Sequence, residues 1–228
     1  MASQSAFSDD RIPESHDSSS RGSDLVLEAA HDAQRILEAS SRLQEGKGRT
    51  LIEIDALRSI AEAHQWMGSF AHLERTPDAG GQEHDVWFEV DRQQVWKATH
   101  YNRFGIWAGR GRPASPADYL MRIYLTQQVF GVAWNLEGCQ EDPFGRLRVI
   151  TTQPALKGAP ATTEKISAFF ESLGFVRHHL GWRDVWVNRE LSVVAEDAHP
   201  DNFVLDDQGT VIPIDIPIAT LPPDDQLS

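Results

Sequence analysis

The stretch Asp197-Ala198-His199-Pro200-Asp201-Asn202-Phe203-Val204-Leu205-Asp206-Asp207-Gln208-Gly209-Thr210-Val211-Ile212-Pro213-Ile214-Asp215 decides how the chain is read. Phe203-Val204-Leu205 and Thr210 to Ile214 are two short apolar runs of strand character. Between them, Asp206-Asp207-Gln208-Gly209 is turn chemistry: Asp bonds its own backbone, and Gly takes positive φ at little cost. The pattern predicts a β-hairpin that returns Asn202 and Asp215 to the same end. Asp197, just upstream, can then face the same cavity. The plainer alternative is that Asp, Pro and Asn only make turns in an acidic protein.

Composition bounds the function classes. The chain has 228 residues, 40% of them apolar, enough for one compact domain or two small lobes. The net charge of −13 argues against unspecific nucleic-acid binding, which needs Lys and Arg to neutralise phosphates. No apolar run is long enough to span a bilayer, so no membrane partner is expected. Cys139 is the single cysteine, which excludes an internal disulfide and fits a reducing compartment. The first residues lack a basic region followed by an apolar core, so the cytoplasm is the expected location. The seven tryptophans and the adjacent His178 and His179 are read as packing or surface groups. Neighbours on a strand point to opposite faces and cannot easily share an ion.

Outward from the late hairpin, the pattern divides the chain. Residues 1–22 are polar and expected to be disordered. Residues 23–68 read as a helical pair, the second helix opening on a Thr50–Glu53 capping box and stopping at Gly68. Strands follow: Phe70 to Arg75, Asp85 to Val90, and Gln94 to Thr99, which carries Lys97. Gly80-Gly81 lies between the first two, either as an ordinary turn or as a backbone that a ligand can approach. Lys97 is one of only four lysines and the only one in a clear strand. Its plainer reading is a solvated lysine on an edge strand. Tyr101 to Pro113 reads as a loop. Ser115-Pro116-Ala117-Asp118 opens a helix with Leu120, Ile123, Tyr124, Gln127 and Phe130 inward. Two further strands end at Gln153-Pro154, a helix capped by Thr162 follows, and strand-like pieces lead into Asp197.

Three blocks together carry a resemblance: Glu83-His84-Asp85-Val86-Trp87 with Val95-Trp96-Lys97-Ala98-Thr99; Val149-Ile150-Thr151-Thr152-Gln153-Pro154; and Asp197-Ala198-His199-Pro200-Asp201-Asn202 with Ile214-Asp215. The chain resembles the compact Ser/Thr/Tyr-kinase-like domains of polyvalent proteins from phages and conjugative elements. Its Asp-x-His-Pro-x-Asn loop is similar to that of aminoglycoside-phosphotransferase-type kinases. The resemblance implies an α+β, minimal protein-kinase-like bilobal fold with an N-terminal helical pair. The small lobe would span 69–152, a truncated large lobe 153–217, and a tail 218–228. It further implies ATP and Mg²⁺ as cofactors. Asp197 would be the catalytic carboxylate, with His199 bracing its loop, and Asn202 and Asp215 would be metal ligands. Lys97 would neutralise phosphates, Gly80 and Gly81 would admit them, and Gln153 would sit near the adenine.

Two departures qualify that resemblance. No Glu lies between Ser115 and Val132 to pair with Lys97, so Gln127, Gln128 or Glu83 is left as the candidate partner. Only thirteen residues follow Asp215, so an acceptor surface is expected from the N-terminal helices, from a partner, or not at all. The expected function is phosphoryl transfer to a hydroxyl of a protein or small molecule. The alternatives are a pseudokinase that acts as an interaction module, and nucleotidyl transfer with the same metal ligands.

Overall fold

The structure, a computed structural model, describes residues 31–32, 35, 49–107, 112–180 and 183–221. The expected disordered tail, most of the first expected helix and residues 222–228 lie outside the described residues. Helix α1 spans Arg49–Ala63 and buries Ile54, Leu57 and Ala61. It starts before Thr50, so the expected capping pair lies inside it. The Glu53 carboxylate instead accepts the Ala117 N–H at 3.3 Å, at the start of the next helix. The helix ends at Ala63 rather than Gly68, and His64 stacks on Trp66 beyond it.

The expected strand at Phe70 to Arg75 is a 3₁₀ turn over Ala71–Leu73. Phe70 and Leu73 are three apart, which suits a turn and not the two-residue alternation of a strand. Strands β1 (Ala79–Gly80), β2 (His84–Glu89) and β3 (Gln94–Thr99) then form an antiparallel meander. The segment expected to be a loop contains a short ribbon, β4 (Ile106–Trp107) with β5 (Arg112–Pro113). Helix α2 (Pro116–Phe130) opens as the sequence predicts. Ser115 Oγ accepts the Asp118 N–H, Asp118 Oδ2 accepts the Ser115 N–H, and Pro116 takes the first turn. Strands β6 (Asn135–Glu141) and β7 (Leu147–Pro154) complete a five-stranded antiparallel sheet of order β1-β2-β3-β7-β6. Lys97 is thus on an interior strand, not an edge.

The second half begins with β8 (Ala159–Pro160) and α3 (Thr163–Ser172), which Thr162 caps. Strands β9 (Val176–Leu180), β10 (Arg183–Asn188) and β11 (Val193–Ala195) follow, then the hairpin β12 (Phe203–Leu205) and β13 (Val211–Pro213). Strand β14 (Ile218–Thr220) pairs with β11, so residues expected to be tail close a second sheet of order β14-β11-β10-β9. Strands β13, β12 and β8 form a third.

Two main apolar cores result. The first packs α1 and the front of α2 (Tyr119, Leu120, Ile123) on Trp134, Leu136 and Leu147. The second packs Leu125 of α2 on Phe170, Phe175, Trp186 and Phe203, with Phe170 and Trp186 stacked at 4.7 Å. Such aromatic stacks contribute about 1 kcal/mol beyond the area they bury. Helix α2 therefore runs from one core into the other, and Arg122 lies where they meet.

Candidate active site

The late hairpin forms as its sequence dictates. β12 and β13 pair in register, Gly209 closes the turn at φ 83°, and the Ile214 N–H donates to the Asn202 carbonyl at 2.8 Å. That bond fixes Asn202 and Asp215 at one end. Asp197 adopts φ 55°, a left-handed conformation that Asp tolerates better than most residues. The Asn202 side-chain amide donates to both the Asp197 carbonyl (2.9 Å) and Asp197 Oδ2 (2.8 Å). His199 caps the following turn, its Nδ1 accepting the Asp201 N–H. The left-handed conformation of Asp197 is thus held by two bonds from the Asn202 side chain.

Lys97 reaches the same place from β3. Its ammonium donates to the Ile214 carbonyl at 2.9 Å and lies 3.5 Å from Asp215 Oδ1. Lys97 is buried, and that burial lowers its pKa while Asp215 works to raise it. The Asp215 side chain is 34% exposed. Its partial burial favours the neutral acid, but Lys97 and Arg122 outweigh this and hold its pKa at about 2.

The partner that the sequence left open is resolved differently from each expectation. The Gln127 amide donates to the Trp134 carbonyl, and Gln128 is exposed. Glu83 does approach from the glycine turn, but it takes Arg122. The Arg122 guanidinium bridges Glu83 Oε2 at 2.6 Å and Asp215 Oδ1 at 2.8 Å. Sequence reasoning missed Arg122, although a signal existed. Tyr119, Arg122, Ile123 and Thr126 share one helical stripe, and a charge on such a buried face needs a partner.

Asp197, His199, Asp215, Glu83 and Arg122 border a cavity of about 1040 Å³, whereas Lys97 and Asn202 are not in its lining. Gly80 and Gly81 are also among the residues that line it. A Cβ at Gly81 would meet no atom within 4 Å, and at Gly80 none nearer than 3.8 Å. No packing within the chain therefore requires glycine there, and the turn leaves room for a bound group. Lys97 is buried behind the lining and touches it at Asp215, 3.5 Å away. Gln153 is not part of it. It is buried in β7 opposite Val95, and its side-chain Nε2 has no hydrogen-bond partner. Its expected contact with adenine has no support in this geometry.

The donor set suits a hard cation. Asp215 offers carboxylate oxygen, and Asn202, with its amide nitrogen committed to Asp197, has its amide oxygen to offer. Glu83, His84 and Asp215 also bring potential ligand atoms within 4.8 Å of one another. Five carboxylates against three arginines line the cavity, so a polyphosphate entering it needs accompanying positive charge.

A family profile described as Serine/Threonine/Tyrosine Kinase found in polyvalent proteins matches residues 53–221. The chain belongs to this kinase family. No curated protein and no solved structure matches it. The match starts inside α1 and ends just past β14, so the kinase domain takes in both cores and every site residue above. Its fold is a compact α+β kinase-like one. No helix among the described residues is long and apolar enough to cross a membrane.

Proposed function

We propose that this kinase domain transfers a phosphoryl group from ATP, carried with Mg²⁺, to a hydroxyl of a protein or small molecule. The observation that carries the reading is the meeting, at 3.5 Å, of Lys97 with Asp215, which lines a cavity also bordered by Gly80-Gly81 and Asp197. Lys97 supplies positive charge for phosphate oxygens, which favour its charged form. Asp215 and the Asn202 amide oxygen would hold the cation, which when bound neutralises phosphate charge. Asp197 accepts a hydrogen bond from the acceptor hydroxyl and orients it for attack. Asn202, through its bond to Asp197 Oδ2, restricts the orientation of that carboxylate.

Incubation with labelled ATP and a panel of hydroxyl acceptors, including the protein itself, tests this. Label transfer by the wild type and its loss in Asp197→Asn support the reading. Nucleotide binding without turnover in either protein favours a second one, a non-catalytic nucleotide-binding module. The observation behind that alternative is that Asp215 Oδ1 is already taken by Arg122 and Lys97.

A further inference from the structure

Arg122 is 4% exposed and lies between two carboxylates that belong to different parts of the fold. Glu83 comes from the glycine turn before β2, Asp215 from the segment after β13. The guanidinium also lies over the Trp134 ring at 5.4 Å, as the Lys97 ammonium does at 5.3 Å. Glu83 is itself pinned. Its Oε1 accepts the Ile106 N–H at 2.9 Å, and Gly105 packs against the carboxylate. Arg122 thus has a fixed anchor at Glu83 and presents its other arm to Asp215.

We propose that Arg122 is a positioning residue that closes Asp215 to free divalent cations, so that metal enters the site only together with a polyphosphate. The inference rests on the phosphotransferase reading of the site. Asp215 Oδ1 carries two cations, Arg122 Nη2 at 2.8 Å and Lys97 Nζ at 3.5 Å. A divalent ion approaching that oxygen alone meets both at close range, where like charges repel strongly. Arg122 cannot relieve this by losing a proton, because a guanidinium stays charged. A polyphosphate changes the balance. Its anionic oxygens match the guanidinium fork and the ammonium, and Asp215 Oδ1 is then free for the cation that the nucleotide brings. Charge is conserved in this exchange, since each cation leaves one oxyanion for another. In this domain the helix supplies a cation to the metal aspartate, where the expected pattern has it supply an anion to the strand lysine.

The competing arrangement is a free-standing metal site on Glu83, His84 and Asp215. Arg122 already occupies both of its carboxylates.

Uptake of Mn²⁺ by the full chain, followed by electron paramagnetic resonance with and without a non-hydrolysable ATP analogue, separates the two. The nucleotide-free wild type is expected to take up no Mn²⁺ at millimolar concentration, and to take it up once the analogue is present. Arg122→Met, which keeps the length and the packing on Trp134, is expected to bind Mn²⁺ without nucleotide at least about tenfold more tightly than the wild type. Arg122→Lys, which retains the charge, is expected to stay closed. Uptake by the nucleotide-free wild type overturns the proposal, and that arm decides even if Arg122→Met does not fold. Failure of both proteins to take up Mn²⁺ with the analogue present removes the nucleotide site itself, a distinct result.

Discussion

The Lys97 ammonium lies 3.5 Å from the Asp215 carboxylate, although one sits on the third strand of the first sheet and the other beyond the last hairpin. The contact ties the first sheet to the segment after the last hairpin, and Arg122 of α2 bonds the same carboxylate oxygen. It also predicts a dissociation between stability and function.

Lys97→Met removes a charge whose burial is costly, while Asp215 keeps Arg122 and stays one-third open to water. The loss of stability is therefore expected to be under about 2 kcal/mol, well below the cost of orphaning a fully buried ion. ATP affinity is expected to fall by about tenfold or more, because the phosphates lose their interior cation. Urea denaturation and calorimetric titration on the same preparation measure both. A variant that unfolds readily but binds ATP normally would assign Lys97 a structural role only.

Gly105 has φ 81°, and a Cβ there would lie 2.8 Å from the Glu83 carboxylate carbon. Gly105→Ala should therefore cost about 2 kcal/mol or more, from left-handed strain and displacement of Glu83. Because Glu83 anchors Arg122, the damage should reach Asp215 and weaken nucleotide binding as well. Thermal melting and ATP titration check this. An unaltered melting temperature would mean that Glu83 is not fixed where the structure places it.

His84 is buried, with its Nε2 on the Tyr119 hydroxyl, and desolvation pushes its pKa down to about 3. The unfolded chain therefore binds a proton that the folded chain refuses between pH 6.5 and about 3. Stability should fall as pH drops through that window, by about 2 kcal/mol from pH 7 to pH 5 for this group. The loss from Asp215, whose folded pKa is about 2, comes later, below its ordinary value of 3.8. Unfolding at pH 7 and 5, in the wild type and in His84→Gln, isolates the histidine contribution. Equal acid sensitivity in the two would show that His84 is not held neutral.

What was legible in the sequence was local. The Asp206-to-Gly209 turn, the Ser115 cap and the β2–β3 hairpin each depend on residues a few positions apart, and all form as expected. The order Lys97, Asp197, Asn202, Asp215 resembles a family pattern, and the structure brings Lys97 to Asp215 and Asn202 to Asp197. The misses were long-range. Strand β14 exists only through pairing with β11, and no alternation marks so short a run. Gln153 looked like a hinge residue by its place before a proline, but β7 continues through it and buries it. Arg122 was hidden for another reason. The family pattern asks the helix for an acid to pair with Lys97, whereas the fold gives Lys97 to Asp215 and balances that carboxylate with a second cation.

Binding of ATP by calorimetry, with and without Mg²⁺, in the wild type and in Asp215→Ala, tests the central claim most directly. Asp215 is where the strand lysine, the helix arginine and the proposed cation converge. The account predicts Mg²⁺-dependent binding in the wild type that is lost in the variant. Equal affinity in both proteins, indifferent to the metal, would contradict it.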